Sequence, residues 1–216
     1  MTTLIAKKLT LKQVHQLLHF EELLDGSFTS LLSLEPLTEF EQQELVQIRN
    51  DFRAYLIEGK VLEGQIKLLV ISPLLRLAGF FHSPIKISLE QDIDNIVIED
   101  EDTTITGRFD ILAVNKDQPT TKDIAFWLLV IESKNSSVNS FEGLPQLLTY
   151  AHQSLERQEI VWGLTTNGMD YRFVLIRQGT LPTYQQMPIL NLMDSESGIR
   201  LLQVLKAICK LQNSVS

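Results

Sequence analysis

Apolar positions change their period near residue 80, dividing the chain into a helical beginning and a strand-rich remainder. Leu11, Val14, Leu17 and Leu18 recur at helical spacing behind Thr10, a suitable cap, so residues 9–24 read as a short helix. Asp25-Gly26 then predicts a turn. Thr38 and Glu41 stand in capping-box register ahead of a second helix over 38–58. Its apolar stripe is Phe40, Leu45, Ile48, Phe52, Tyr55 and Leu56. A third helix runs from Leu62 to Gly79, and Pro73 inside it predicts a kink or split near Ser72.

Beyond Gly79 the pattern alternates. Ile85, Ile87 and Leu89, then Ile93, Ile96 and Ile98, then Ile105 and the run 108–114 all carry strand signals. Residues 115–123 read as a turn-rich connector. Residues 126–132 are apolar on both faces, which predicts a central, buried strand. A helix follows over 144–157 with Pro145 in its first turn. Two more strands, 160–166 and 171–176, flank an Asn167-Gly168 hairpin signal, and an amphipathic helix over 198–211 closes the chain. No internal repeat, low-complexity tract or clear linker interrupts this order. The pattern predicts a mixed α/β protein with an N-terminal helical section, 1–58, joined to 59–216 in one compact domain.

Composition narrows the class. A chain of 216 residues that is 44% hydrophobic can bury a core without staples. The lone Cys209 excludes an intramolecular disulfide and a cysteine-based zinc site. Its apolar neighbourhood predicts a core thiol. No apolar run approaches the roughly 20 residues of a membrane span, and residues 1–10 carry no secretory pattern. The expectation is a cytoplasmic protein with no membrane partner. The net charge of −8 argues against coating nucleic acid through bulk positive charge. That acidity is local, however. Glu90, Asp92, Asp94, Glu99, Asp100, Glu101 and Asp102 fall in one segment without Lys or Arg, and the remainder is nearly balanced. The segment reads as a solvated hairpin or loop. A sharper reading has it repelling DNA from one side of a cleft.

Three charged residues sit where strands should be buried. Asp110 lies between Phe109 and Ile111, and Glu132 and Lys134 end the most apolar strand. Residues two apart in a strand share a face, so Glu132 and Lys134 point the same way. Burying such groups is costly unless they are paired or hold a metal. Two carboxylates can hold Mg²⁺, which prefers oxygen ligands, and a lysine beside them can act on a water or a phosphate. An ordinary Glu–Lys pair at a strand end accounts for these residues equally well.

Asp110 followed after 21 residues by Glu132-Ser133-Lys134 resembles the D…ExK core of the PD-(D/E)XK nuclease superfamily, with Phe109 where the first motif has proline. Gln146 and Tyr150, four apart on the next helix, resemble the QxxxY motif of RecB-like nucleases and of the nuclease domain in type I restriction-enzyme R subunits. Residues 63–79, an acid ahead of a Pro-Leu-Leu segment, are similar to the opening helix of that domain, and 163–173 to its strand–turn–strand. The likeness covers about residues 60–178.

The resemblance implies a restriction-endonuclease-like fold: a mixed central sheet flanked by helices, with the N-terminal helical section added. It implies Mg²⁺- or Mn²⁺-dependent hydrolysis of phosphodiester bonds in DNA, in restriction, defence or repair. Asp110 and Glu132 would hold the metal, with the helix acid Glu63 as a third candidate ligand or simply a solvated glutamate. Lys134, Gln146 and Tyr150 would complete the catalytic set. Partners would be DNA, other restriction or repair subunits, or a second copy of the chain. The alternative is a nuclease-fold module that binds nucleic acid or a partner subunit without cutting.

Overall fold

The architecture is mixed α/β, a central multi-stranded sheet flanked by helices. A computed structural model describes residues 2–98, 103–119 and 125–211. The strands are β1 (Thr2–Ile5), β2 (Glu21–Leu23), β3 (Ile85–Asp92), β4 (Ile96–Ile98), β5 (Thr103–Thr106), β6 (Arg108–Pro119), β7 (Ala125–Ser133), β8 (Ile160–Thr166), β9 (Asp170–Arg177), β10 (Thr183–Gln186) and β11 (Leu190–Asn191). The helices are α1 (Leu11–Leu18), α2 (Glu39–Glu58), α3 (Glu63–Ile66), α4 (Ser72–Ala78), α5 (Leu144–Leu155) and α6 (Ser195–Lys210).

The main sheet runs in the order β2-β10-β9-β8-β7-β6-β3, with β11 added beside β9. Most neighbours are antiparallel, but β7 and β8 pair parallel, as do β10 and β2. Parallel neighbours need a crossover, and α5 supplies the one between β7 and β8. A second, three-stranded sheet has the order β1-β5-β4.

Each face of the main sheet buries its own cluster. On one face Ile111, Ile131, Leu164 and Phe173 meet residues of α2, α4 and α6. On the other, Leu112, Val130 and Val174 meet α1, α5 and Ile105 of the small sheet. This is why 126–132 lacks alternation: β7 lies inside the sheet with apolar layers on both sides. Cys209 is buried on α6, and burial pushes its thiol up to about 11. Among the described residues, no helix is long and apolar enough to cross a membrane.

Local signals and structure agree where short-range chemistry decides. Thr38 and Glu41 form the reciprocal capping box of α2, and Thr10 with Gln13 forms that of α1. Gly168 takes a φ of 89° in the β8–β9 turn. Ahead of Pro73 the third helix widens while its backbone stays right-handed. A π-helical stretch, Lys67–Ile71, separates α3 from α4, and the Ser72 N–H donates to the Lys67 carbonyl.

Three expectations need correction. The first helix ends at Leu18, because His19 turns left-handed at a φ of 54° and residues 21–23 pair with β10 as a strand. The α2 stripe is narrower than its apolar residues suggest: Leu45, Ile48 and Phe52 are buried, but Phe40 and Tyr55 are exposed. Residues 115–119 continue β6 instead of forming a connector, while 120–124 lie outside the described residues. The acidic segment is exposed at Glu90, Asp92 and Asp94, as its composition predicts; Glu90 and Asp92 close β3, and Glu99 to Asp102 lie outside the described residues.

Helix α5 lies against β8 at Gly163. A Cβ there would stand 2.7 Å from Leu147 Cδ2, inside a fully buried contact. Gly163→Ala is therefore expected to cost about 1–3 kcal/mol through overpacking. Urea denaturation measures it, and an unchanged midpoint would mean that α5 yields without strain.

Candidate active site

The β6–β7 ladder pairs Ile111 with Ile131, which brings Asp110 abreast of Glu132. Both carboxylates line one cleft of about 550 Å³, together with Glu63, Lys67, Gln146 and Tyr150. Ile5 and Thr106 bring the small sheet to its rim, next to Gly107. Thus α3, β6, β7 and α5, far apart in sequence, converge at the end of two strands.

Asp110 is fixed at both oxygens. Its Oδ2 accepts from the Ser133 N–H at 2.7 Å and from Ser133 Oγ at 2.9 Å. Its Oδ1 accepts from Lys67 Nζ at 2.8 Å. The carboxylate therefore caps the end of β7 and carries a charged partner. Glu132 is only 2% exposed. Its Oε1 accepts from Lys134 Nζ at 2.5 Å, whereas Oε2 is buried without a hydrogen-bond partner among the described residues. Burial first, and then the Asp110 charge, push the Glu132 carboxyl up to about 8 against the pull of Lys134.

Lys134 follows the last residue of β7, but its N–H donates to the Thr166 carbonyl at 2.8 Å and extends the ladder. Its Nζ therefore lies on the Glu132 side, as the spacing of two predicts. The same ammonium donates to Gln146 Oε1 at 3.1 Å, and Gln146 Nε2 donates to the Tyr150 hydroxyl at 2.6 Å. One polar relay thus runs Glu132–Lys134–Gln146–Tyr150 across two elements. Tyr150 is buried, and burial followed by the Glu132 charge holds its hydroxyl above its ordinary pKa, in the neutral form. Gly107 makes room for it, since a Cβ there would stand 2.7 Å from the Tyr150 ring.

Glu63 reaches the cleft but is engaged by Lys67 at 3.4 Å and is partly exposed. Among the described residues, no three His, Cys, Asp or Glu side chains converge as metal ligands. The site therefore offers two carboxylates, not a closed cage. Mg²⁺ commonly takes one or two carboxylates and keeps several waters, so the donor set fits that ion. The unpartnered Glu132 Oε2 is the observation that favours a cation there, because a buried carboxylate oxygen without a donor is costly.

Sequence reading missed Lys67, Ser133 and Glu90 as parts of this site. The Glu63–Lys67 spacing of four was the visible trace of one ion pair. Nothing local indicated that Lys67 would meet Asp110 across the cleft. Two polar side chains away from this cleft are engaged locally. His15 Nε2 hydrogen-bonds the Tyr184 hydroxyl at 3.0 Å, and Asn167 secures its own turn by accepting from Met169 and Asp170. Compared with protein-family models and with curated proteins, the chain matches none.

Proposed function

We propose that the protein is a metal-dependent nuclease of the PD-(D/E)XK type, with a restriction-endonuclease-like fold, that hydrolyses phosphodiester bonds in DNA. The observation that carries the reading is the meeting of Asp110 and Glu132 in one cleft, with Lys134 on Glu132 and Gln146–Tyr150 behind Lys134. These residues come from separate elements, and a surface ion pair needs none of that convergence. Work in the cytoplasm alongside other restriction or repair subunits, or as a homodimer, belongs to the same reading.

Asp110 and Glu132 would hold Mg²⁺ or Mn²⁺, with Glu63 at the rim. The bound ion supplies polarisation of the phosphoryl group and a more acidic water. The protein's share is positioning and charge. Lys134 presents an ammonium to the attacking water and the scissile phosphate, where negative charge grows. Gln146, like Glu132, accepts a hydrogen bond from Lys134 and so fixes where the remaining ammonium N–H points, and Tyr150, accepting from Gln146, holds that amide in orientation.

The test is cleavage of supercoiled plasmid and of linear single-stranded DNA. Cutting is expected with Mg²⁺ or Mn²⁺ and is expected to vanish with EDTA. Nicked circles would identify an endonuclease, and progressive loss of the linear strand an exonuclease. Absence of cutting by folded protein that still binds DNA would replace this reading with the binding module.

A further inference from the structure

The two carboxylates of the cleft differ in what occupies them. Among the described residues, Glu132 Oε2 has no hydrogen-bond partner. Asp110 has no such oxygen: Ser133 holds Oδ2 through two donors, and Lys67 holds Oδ1. The Ser133 contacts belong to the end of β7 and cannot be given up without disturbing the strand. The Lys67 contact is a single side-chain ion pair. A divalent cation that uses both carboxylates therefore meets no protein donor at Glu132 Oε2 and meets an ammonium at Asp110 Oδ1.

Lys67 is built to hold that place. Its side chain is 18% exposed and its Nζ stands within 3.4 Å of Glu63 and Glu90 as well as 2.8 Å from Asp110. Burial opposes its charge, but Asp110 and then Glu63 outweigh that and hold the ammonium above its ordinary pKa. Glu90 reaches it from a left-handed backbone, φ 47°, a conformation that costs energy in a residue other than glycine. The π-helical stretch begins at Lys67 itself, and such wide turns gather at functional sites.

We propose that Lys67 is the resident counter-ion of the cleft, competing with the divalent cation for Asp110 Oδ1, so that metal binding and departure of the Lys67 ammonium from Asp110 are one coupled step. The inference rests on the reading of Asp110 and Glu132 as metal ligands. Without metal, Lys67 offsets part of the cleft's negative charge and holds Asp110 in place. With metal, Glu63 and Glu90 remain as partners for the displaced ammonium on the cleft wall. Lys67 is a positioning residue in this account, and its effect falls on metal affinity before any chemistry.

Mn²⁺ binding by calorimetry tests this, paired with thermal unfolding in EDTA, on wild type, Lys67→Met, Lys67→Arg and Asp110→Asn. Removing a positive charge from beside a cation site is expected to tighten Mn²⁺ binding about tenfold. The same Lys67→Met change is expected to lower the unfolding temperature without metal, since Asp110 loses its partner. A merely structural lysine would give the second effect and not the first. Lys67→Arg keeps the charge and is expected to bind Mn²⁺ like wild type. If Lys67→Met fails to fold, Lys67→Gln, which retains a hydrogen-bond donor without the charge, carries the same expectation.

Wild-type binding that Asp110→Asn abolishes, with Lys67→Met no tighter than wild type, overturns the competition and leaves the metal site standing. Absence of Mn²⁺ binding in wild type and Lys67→Met alike overturns both. Binding that emerges only in Lys67→Met supports the competition in its strongest form.

Discussion

Lys134→Met is expected to lower metal-dependent cleavage by about 10²- to 10⁴-fold, the usual weight of a positioned proton-handling group. Among the described residues, Lys134 is the side chain that donates to Glu132, and it is the residue that Gln146 aims. Methionine fills the same volume, so the loss is one of charge and hydrogen bonds. Breaking a buried pair ordinarily leaves a costly lone charge. Here burial and Asp110 already press Glu132 toward its neutral form, so a proton can replace the missing ammonium and the fold survives. Single-turnover rates at saturating Mn²⁺, with an unfolding curve as control, read the effect. A large rate loss in a folded protein that still binds Mn²⁺ assigns Lys134 to the water and phosphate. Full activity would remove Lys134 from the reaction and turn attention to Lys67, the other ammonium shown within hydrogen-bonding distance of a cleft carboxylate.

The parts of this protein legible in the sequence are those that short-range physics decides. The capping pair Thr38–Glu41, the Asn167-Gly168 turn and the doubly apolar β7 each state their structure within a few residues. The Asp110…Glu132…Lys134 set stood out differently, as charges inside apolar strands and through its resemblance to a D…ExK core. Strand geometry fixes which residues share a face, and adjacent antiparallel strands then bring Asp110 and Glu132 side by side. What stayed hidden depends on distant pairing. Glu21-Glu22-Leu23 continues a helical pattern, and it becomes a strand only because β10 offers an edge 162 residues later. The strands β10 and β11, with residues such as Gln185 and Asn191, carry weak local signals and exist through β9. Lys67 is the same case within the site. Its ion pair with Asp110 spans 43 residues and follows from how the helical segment crosses the end of β6. Periodicity describes one element at a time and is silent on such crossings.

Asp110 joins these two levels, and substitutions there separate structure from chemistry. Asp110→Ala removes the acceptor of two Ser133 donors and the strongest partner of Lys67 in one step. Ser133 is fully buried, so its N–H loses its only side-chain partner without access to water. The expected destabilisation is about 3 kcal/mol, from a buried unsatisfied donor and a cation stripped of its nearest anion. Asp110→Asn behaves differently. Its amide oxygen can still accept from Ser133, but its amide N–H then faces Lys67 in place of the carboxylate oxygen, so the expected loss is smaller than for alanine, about 1–2 kcal/mol. Its charge is gone, however, and a hard cation gains far less from an amide than from a carboxylate. Mn²⁺ affinity is therefore expected to fall at least tenfold in both variants, roughly the minimum loss seen when even an outer partner of a metal ligand is removed. Urea titrations and calorimetry on the two proteins together give the answer. Affinity lost in both, with stability lost mainly in the alanine variant, divides Asp110 between a strand cap at Oδ2 and a ligand at Oδ1. Equal destabilisation by asparagine and alanine would instead make the Lys67 ion pair, and not the Ser133 cap, the contact that holds the end of β7 in place.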